Sequence, residues 1–207
     1  MVRGSNPCGG TNVNSFKPCP KKPRSQSGSP ASTLLRQLPT WEKPALLVLV
    51  KDLYEAAAEN RDFVQARCQT GESGGEALEK YRHKIVEQFY PVRGEAKLKL
   101  GEARKAIRDY RKATGNLHGT VELLMTYVEN GAEFTYEYGD IDERFYSSIE
   151  SALDELAALL YGDAREMYPT FSERLARVEQ LSDGIGWGFH DYIEEVVWQL
   201  EEELGDQ

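Results

Sequence analysis

Apolar residues recur at three- and four-residue spacing through almost the whole chain after Trp41, the repeat expected of helices that bury one face. Leu46, Leu49, Leu53 and Ala57 open the series, with Pro44 suited to a first helical turn. A short helix is expected over Arg61 to Cys68, then a loop at Gly71-Glu72-Ser73-Gly74-Gly75. Leu78, Tyr81, Ile85 and Phe89 mark the next helix, which Pro91 ends. Ala103, Ala106, Ile107 and Tyr110 form an inward face after Gly101, and Gly115-Asn116 reads as a helix stop. Val121, Leu124, Val128 and Phe134 follow, up to a turn at Tyr138-Gly139-Asp140. A long helix is expected from Asp142 through Phe145, Ile149, Leu153, Leu156 and Leu160 to about Gly162. Asp163 to Gln180 reads as helical with a kink or restart at Pro169. A last helix runs from about His190 through Ile193, Val197, Leu200 and Leu204. No segment alternates with period two between turn signals. The expectation is an all-α domain over 33–207, an irregular bundle or solenoid-like array of about seven or eight mostly antiparallel helices.

Residues 1–32 break this pattern. They are rich in Gly, Pro, Ser, Asn and Lys and nearly devoid of apolar side chains, so they are expected to lack stable structure. The genetic code allows a sharper reading. Gly4-Ser5-Asn6 can be encoded by the T-loop of a transfer-RNA gene, and Thr11-Asn12 in the same frame by a discriminator A followed by CCA. On that reading the segment is translated on paper from a neighbouring transfer-RNA gene. The true start then lies between Val13 and Leu35, at a non-ATG codon.

Charge sharpens the division. Residues 1–36 hold six basic residues and no acid, and the remaining 19 basic and 34 acidic residues leave the body at −15. An acidic body disfavours nucleic acid and anionic membrane surfaces as partners. The longest aliphatic run, Ala45 to Val50, is too short to span a bilayer, and the basic N-terminus lacks the apolar stretch of a secretory signal. Cys8, Cys19 and Cys68 show no zinc-site spacing and cannot all pair with one another, which fits a reduced, cytoplasmic location.

Three stretches carry a resemblance: Leu100-Gly101-Glu102-Ala103-Arg104-Lys105-Ala106-Ile107, Glu133-Phe134-Thr135-Tyr136-Glu137-Tyr138-Gly139-Asp140-Ile141-Asp142-Glu143, and Gly186-Trp187-Gly188-Phe189-His190-Asp191. Through them the chain resembles an uncharacterised, mainly bacterial family of small helical proteins described only as a domain of unknown function. The resemblance covers most of 33–200. It implies a helical fold and no established activity, so no catalytic residue carries over.

Candidate chemistry sits in three places. Glu129, Glu133 and Glu137 share a helix face, and Asp140, Asp142 and Glu143 follow at the turn. Converging carboxylates suit hard cations, with His190 as a nitrogen ligand or general base and Asp191 beside it. The plainer reading is a solvated face followed by helix-capping acids. The Gly186-Trp187-Gly188-Phe189 turn is a candidate interaction turn or anion cradle, but lacks the context of a phosphate-binding loop. The plainer expectation there is that Trp187 and Phe189 plug the core. Arg104, Arg108 and Arg111 form a basic stripe that can hold a phosphate or pair with the excess acids. The leading expectation is a non-enzymatic module that binds another protein and requires no cofactor. A metal-assisted hydrolase and a phosphate or RNA-backbone binder are the alternatives.

Overall fold

The computed structural model describes residues 30–68 and 74–205. Among these every regular element is helical, with nine α-helices where seven or eight were expected. The chain divides into two compact units, Met1–Val48 and Leu49–Gln207.

In the first unit, α1 (Pro30–Gln37) leads into a 3-10 turn at Leu38–Thr40 and the opening turns of α2 (Lys43–Ala56). The Thr40 hydroxyl donates to the Gln37 carbonyl at 2.7 Å, and Trp41 N donates to Leu38 O at 3.1 Å. Pro30 therefore starts a helix inside the segment expected to lack structure. The transfer-RNA reading falls on residues outside the described ones.

The second unit holds the rest of α2, then α3 (Ala58–Cys68), α4 (Gly74–Phe89), α5 (Leu100–Thr114), α6 (Leu117–Tyr138), α7 (Glu143–Tyr161), α8 (Tyr168–Ser182) and α9 (Phe189–Leu204). Most of the loop expected at 71–75 lies outside the described residues. The arrangement is a bundle around one helix rather than a solenoid. α6 touches α4, α5, α7 and α8, while α9 packs on α7 and α8. Buried residues surround α6 on nearly every side, from Val121, Leu123, Leu124 and Met125 to Phe134 and Thr135. Such a helix cannot stand in water by itself. Two of its buried threonines are satisfied locally: Thr120 and Thr126 donate to carbonyls four residues back at 2.7 and 2.8 Å.

Helix ends follow local chemistry. Gly115 adopts a left-handed φ of 64° and closes α5. Asn116, expected to belong to that stop, instead starts α6: its side chain accepts from Gly119 N at 2.9 Å. Asp142 does the same for α7, accepting from Phe145 N at 2.8 Å. Pro169 lies in the first turn of α8, so the break there is a restart, preceded by a 3-10 turn at Arg165–Met167.

Two glycines set how closely neighbours approach α6. A Cβ on Gly119 would come within 2.1 Å of the Tyr110 hydroxyl oxygen, and one on Gly131 within 2.4 Å of Ile149 Cδ1. Ile149 is fully buried and cannot move aside freely. We expect Gly131→Ala to destabilise the protein by about 1–3 kcal/mol through this overlap. Urea unfolding measures it, and an unchanged midpoint would mean that α6 and α7 pack less closely.

Candidate functional site

Two turns meet at the end of the bundle. One joins α6 to α7 over 139–142, and the other joins α8 to α9 over 183–188. Asp140 links them: its Oδ1 accepts from Gly186 N at 3.4 Å and from the Tyr146 hydroxyl at 3.2 Å. The Tyr146 oxygen also accepts from Ile141 N at 3.2 Å and lies 2.9 Å from Thr135 Oγ1. Beneath the turns the Tyr146 ring packs on Phe189, with centroids 4.7 Å apart. That contact ends a chain of buried rings running back through Phe145 to Phe89. Two of the three stretches singled out in the sequence thus form one junction.

The second turn has an unusual backbone. Gly184, Trp187 and Gly188 have φ of 77°, 64° and 73°. Left-handed geometry is ordinary for glycine and costly for a large side chain. Trp187 was expected in the core; it is 66% exposed, whereas Phe189 is fully buried. The left-handed turn explains the difference. It delivers Phe189 to Tyr146 as the first residue of α9 and leaves the indole outside.

His190 is half-buried, and its Nδ1 lies 2.9 Å from Ser182 Oγ. The Ser182 hydroxyl donates its one proton to Glu179 O at 2.7 Å, so Nδ1 is the donor in the His190 contact. Ser182 is wholly buried and holds the histidine in place.

The acidic face is dispersed rather than convergent. Arg174 of α8 forks onto both oxygens of Glu129, at 2.7 and 2.6 Å, and reaches Glu122 at 2.8 Å. The hydrogen bond to Glu129 leads in raising the Arg174 pKa further; burial opposes it, and Glu122 adds to the rise. Arg82 of α4 meets Glu122 from the other side at 3.0 Å. Arg177 lies 3.9 Å from Glu133. Glu137 is exposed, and burial, then the charges of Glu137 and Glu133, push the Tyr90 hydroxyl pKa up. Asp142 is a cap, and Glu143 and Asp191 lie in first helical turns, where their charge is favoured. Among the described residues no three His, Cys, Asp or Glu side chains gather as around a metal ion.

The basic stripe is also largely engaged. Arg104 and Arg111 of α5 share Glu155 of α7, at 2.9 and 3.4 Å, and Arg108 is exposed. Elsewhere, an apolar groove of about 560 Å³ opens beside Phe89, Tyr90, Leu98, Phe134 and Tyr138.

Sequence reasoning missed Tyr146, the centre of the junction, and Trp198. Trp198 is 57% exposed on α9, off the inward series Ile193, Val197, Leu200 and Leu204, so the helical period does signal it.

No family model, curated protein or solved structure matches the chain. No helix among the described residues is long and apolar enough to cross a membrane.

Removing the Tyr146 hydroxyl leaves Thr135, Asp140 and Ile141 N short of a partner. Tyr146→Phe should cost about 1–3 kcal/mol and speed amide exchange over 184–188. Unchanged exchange there would show that the junction does not hold the turn.

Charge ties α3 to α4. Asp62, its side chain 11% exposed, accepts from Lys80 and Lys84, both at 2.5 Å. Burial by itself raises this carboxyl's pKa; the two lysines outweigh it and hold the group below its ordinary 3.8. The folded value is thus below the unfolded one. Its contribution is complete above the unfolded value and disappears as pH falls through the folded one. Asp62→Asn should lower the thermal midpoint at pH 7, and the difference from the parent should shrink toward pH 3. A constant difference would contradict this linkage.

Proposed function

We propose that this chain is a non-enzymatic helical interaction module of the cytosol that binds another protein through the turn displaying Trp187. The single observation that carries the reading is Trp187: a large apolar side chain, two-thirds exposed, on a left-handed backbone. The turn beneath it is anchored by Asp140 and Phe189. Nothing in the core requires that indole, and exposed tryptophans are common energetic anchors of protein interfaces. The open apolar groove beside Phe134 and Tyr138 supports the same reading.

The alternatives draw less support. The acids proposed for metal-assisted hydrolysis are spread over ion pairs, caps and separate surfaces, and His190 is tied to Ser182. The stripe proposed for phosphate has two of its three arginines on Glu155.

Trp187→Ala removes an exposed ring, so stability should stay within about 0.5 kcal/mol of the parent. The test is capture of partners from native cells on the full chain and on this variant, with thermal midpoints measured in parallel. The reading expects a protein held by the parent and lost by an equally stable variant. A protein held equally by both, or a variant that unfolds, would contradict it.

A further inference from the structure

The outward face of α9 carries an unbalanced charge. From Tyr168 to Gly205 the chain holds nine acidic and two basic residues, and both bases, Arg174 and Arg177, turn toward α6 to meet Glu129 and Glu133. α9 itself contains no Lys or Arg. Its solvent side and the flank of α8 enclose a groove of about 310 Å³ lined by Glu179, Asp191, Glu194, Glu195, Trp198 and Glu201. Among the described residues no ion pair forms at any of these five carboxylates.

Acids alone would make this a solvated helix face. The indole changes the picture. Trp198 stands 57% exposed among the carboxylates, while the aliphatic residues of α9 are turned inward. An exposed indole ringed by negative charge attracts a cation twice: through the face of its ring, and through the carboxylates around it. A planar guanidinium can stack on the ring and offer paired N–H donors to a carboxylate; an ammonium can only approach as a point charge. The charge excludes nucleic acid and anionic lipid as occupants.

We infer that this face of α9 is a docking groove for an arginine-rich segment of a partner protein, with a guanidinium stacked on Trp198 and held by Glu194, Glu195 and their neighbours. The inference rests on the interaction-module reading and gives its partner a chemistry.

The test titrates the full chain with fluorescein-labelled octa-arginine and octa-lysine at low salt. Octa-arginine should bind more tightly, and both should weaken as ionic strength rises past about 0.15 M. Trp198→Ala should weaken octa-arginine about fivefold and octa-lysine little, so that the preference for arginine disappears. Glu194→Gln with Glu195→Gln should weaken both peptides, whereas Glu143→Gln, on α7, should weaken neither. Either of two results would overturn the inference: no binding at low salt, or binding that ignores Trp198→Ala and responds equally to all acid-to-amide variants. The interaction-module reading fails separately. A protein captured through Trp187, together with no octa-arginine binding at low salt, leaves that reading intact and removes this one. Binding of octa-arginine at Trp198, with no protein lost by Trp187→Ala, supports this groove and removes the Trp187 turn as the contact.

Discussion

Burial of α6 on almost every side is the constraint on which the rest of the second unit depends. A helix of 22 residues with Val121, Leu123, Leu124, Met125, Val128 and Phe134 buried leaves few positions for polar groups. Neighbours must cover it, and close cover needs small residues at the points of nearest approach. Gly119 beneath Tyr110 and Gly131 beneath Ile149 meet that need. The helix's acids are confined to one margin. There Glu122 and Glu129 receive Arg174, and Glu122 also receives Arg82, so the charges fix α4 and α8 against the same helix. A pair this close to the core contributes orientation more surely than net stability, because desolvation offsets much of the attraction.

The same central helix positions the junction. α6 ends at Tyr138, and Gly139, with φ of 84°, releases the chain into the turn that carries Asp140. Asp140 then sets the height of the second turn through Gly186, and Tyr146 supports both. Phe189 completes the ring chain beneath, so the backbone around Trp187 is held from two directions while its side chain is held by none of these contacts. Stability and display are divided between neighbouring residues of one motif, Phe189 inward and Trp187 outward.

Much of the helical pattern was legible in the sequence because apolar spacing and capping residues act locally. The inward faces read for α5, α7 and α9 are buried, and Asp142 caps α7. What escaped depends on contacts distant in the chain. Nothing in the run Glu129, Glu133, Glu137 reveals that Arg174 and Arg177, more than forty residues on, take up the first two. Asn116 reads as part of the preceding stop because Gly115-Asn116 fits a stop as well as a start, and local chemistry does not choose between them. Trp187 escapes the sequence reading for a different reason. Hydrophobicity argues for burial whatever the backbone does, and the left-handed angle that puts the ring outside is invisible in composition. The alternating glycines were the available sign, and they mark the turn rather than room for a buried ring.

The claim most open to direct measurement is that the tryptophans serve the surface rather than the core. Trp41, Trp187 and Trp198 are 43%, 66% and 57% exposed. The intrinsic fluorescence of the folded full chain should therefore be centred close to that of free tryptophan in water and be readily quenched by acrylamide. A blue-shifted, quencher-resistant emission that moves to the red only on unfolding would show buried indoles and contradict the account.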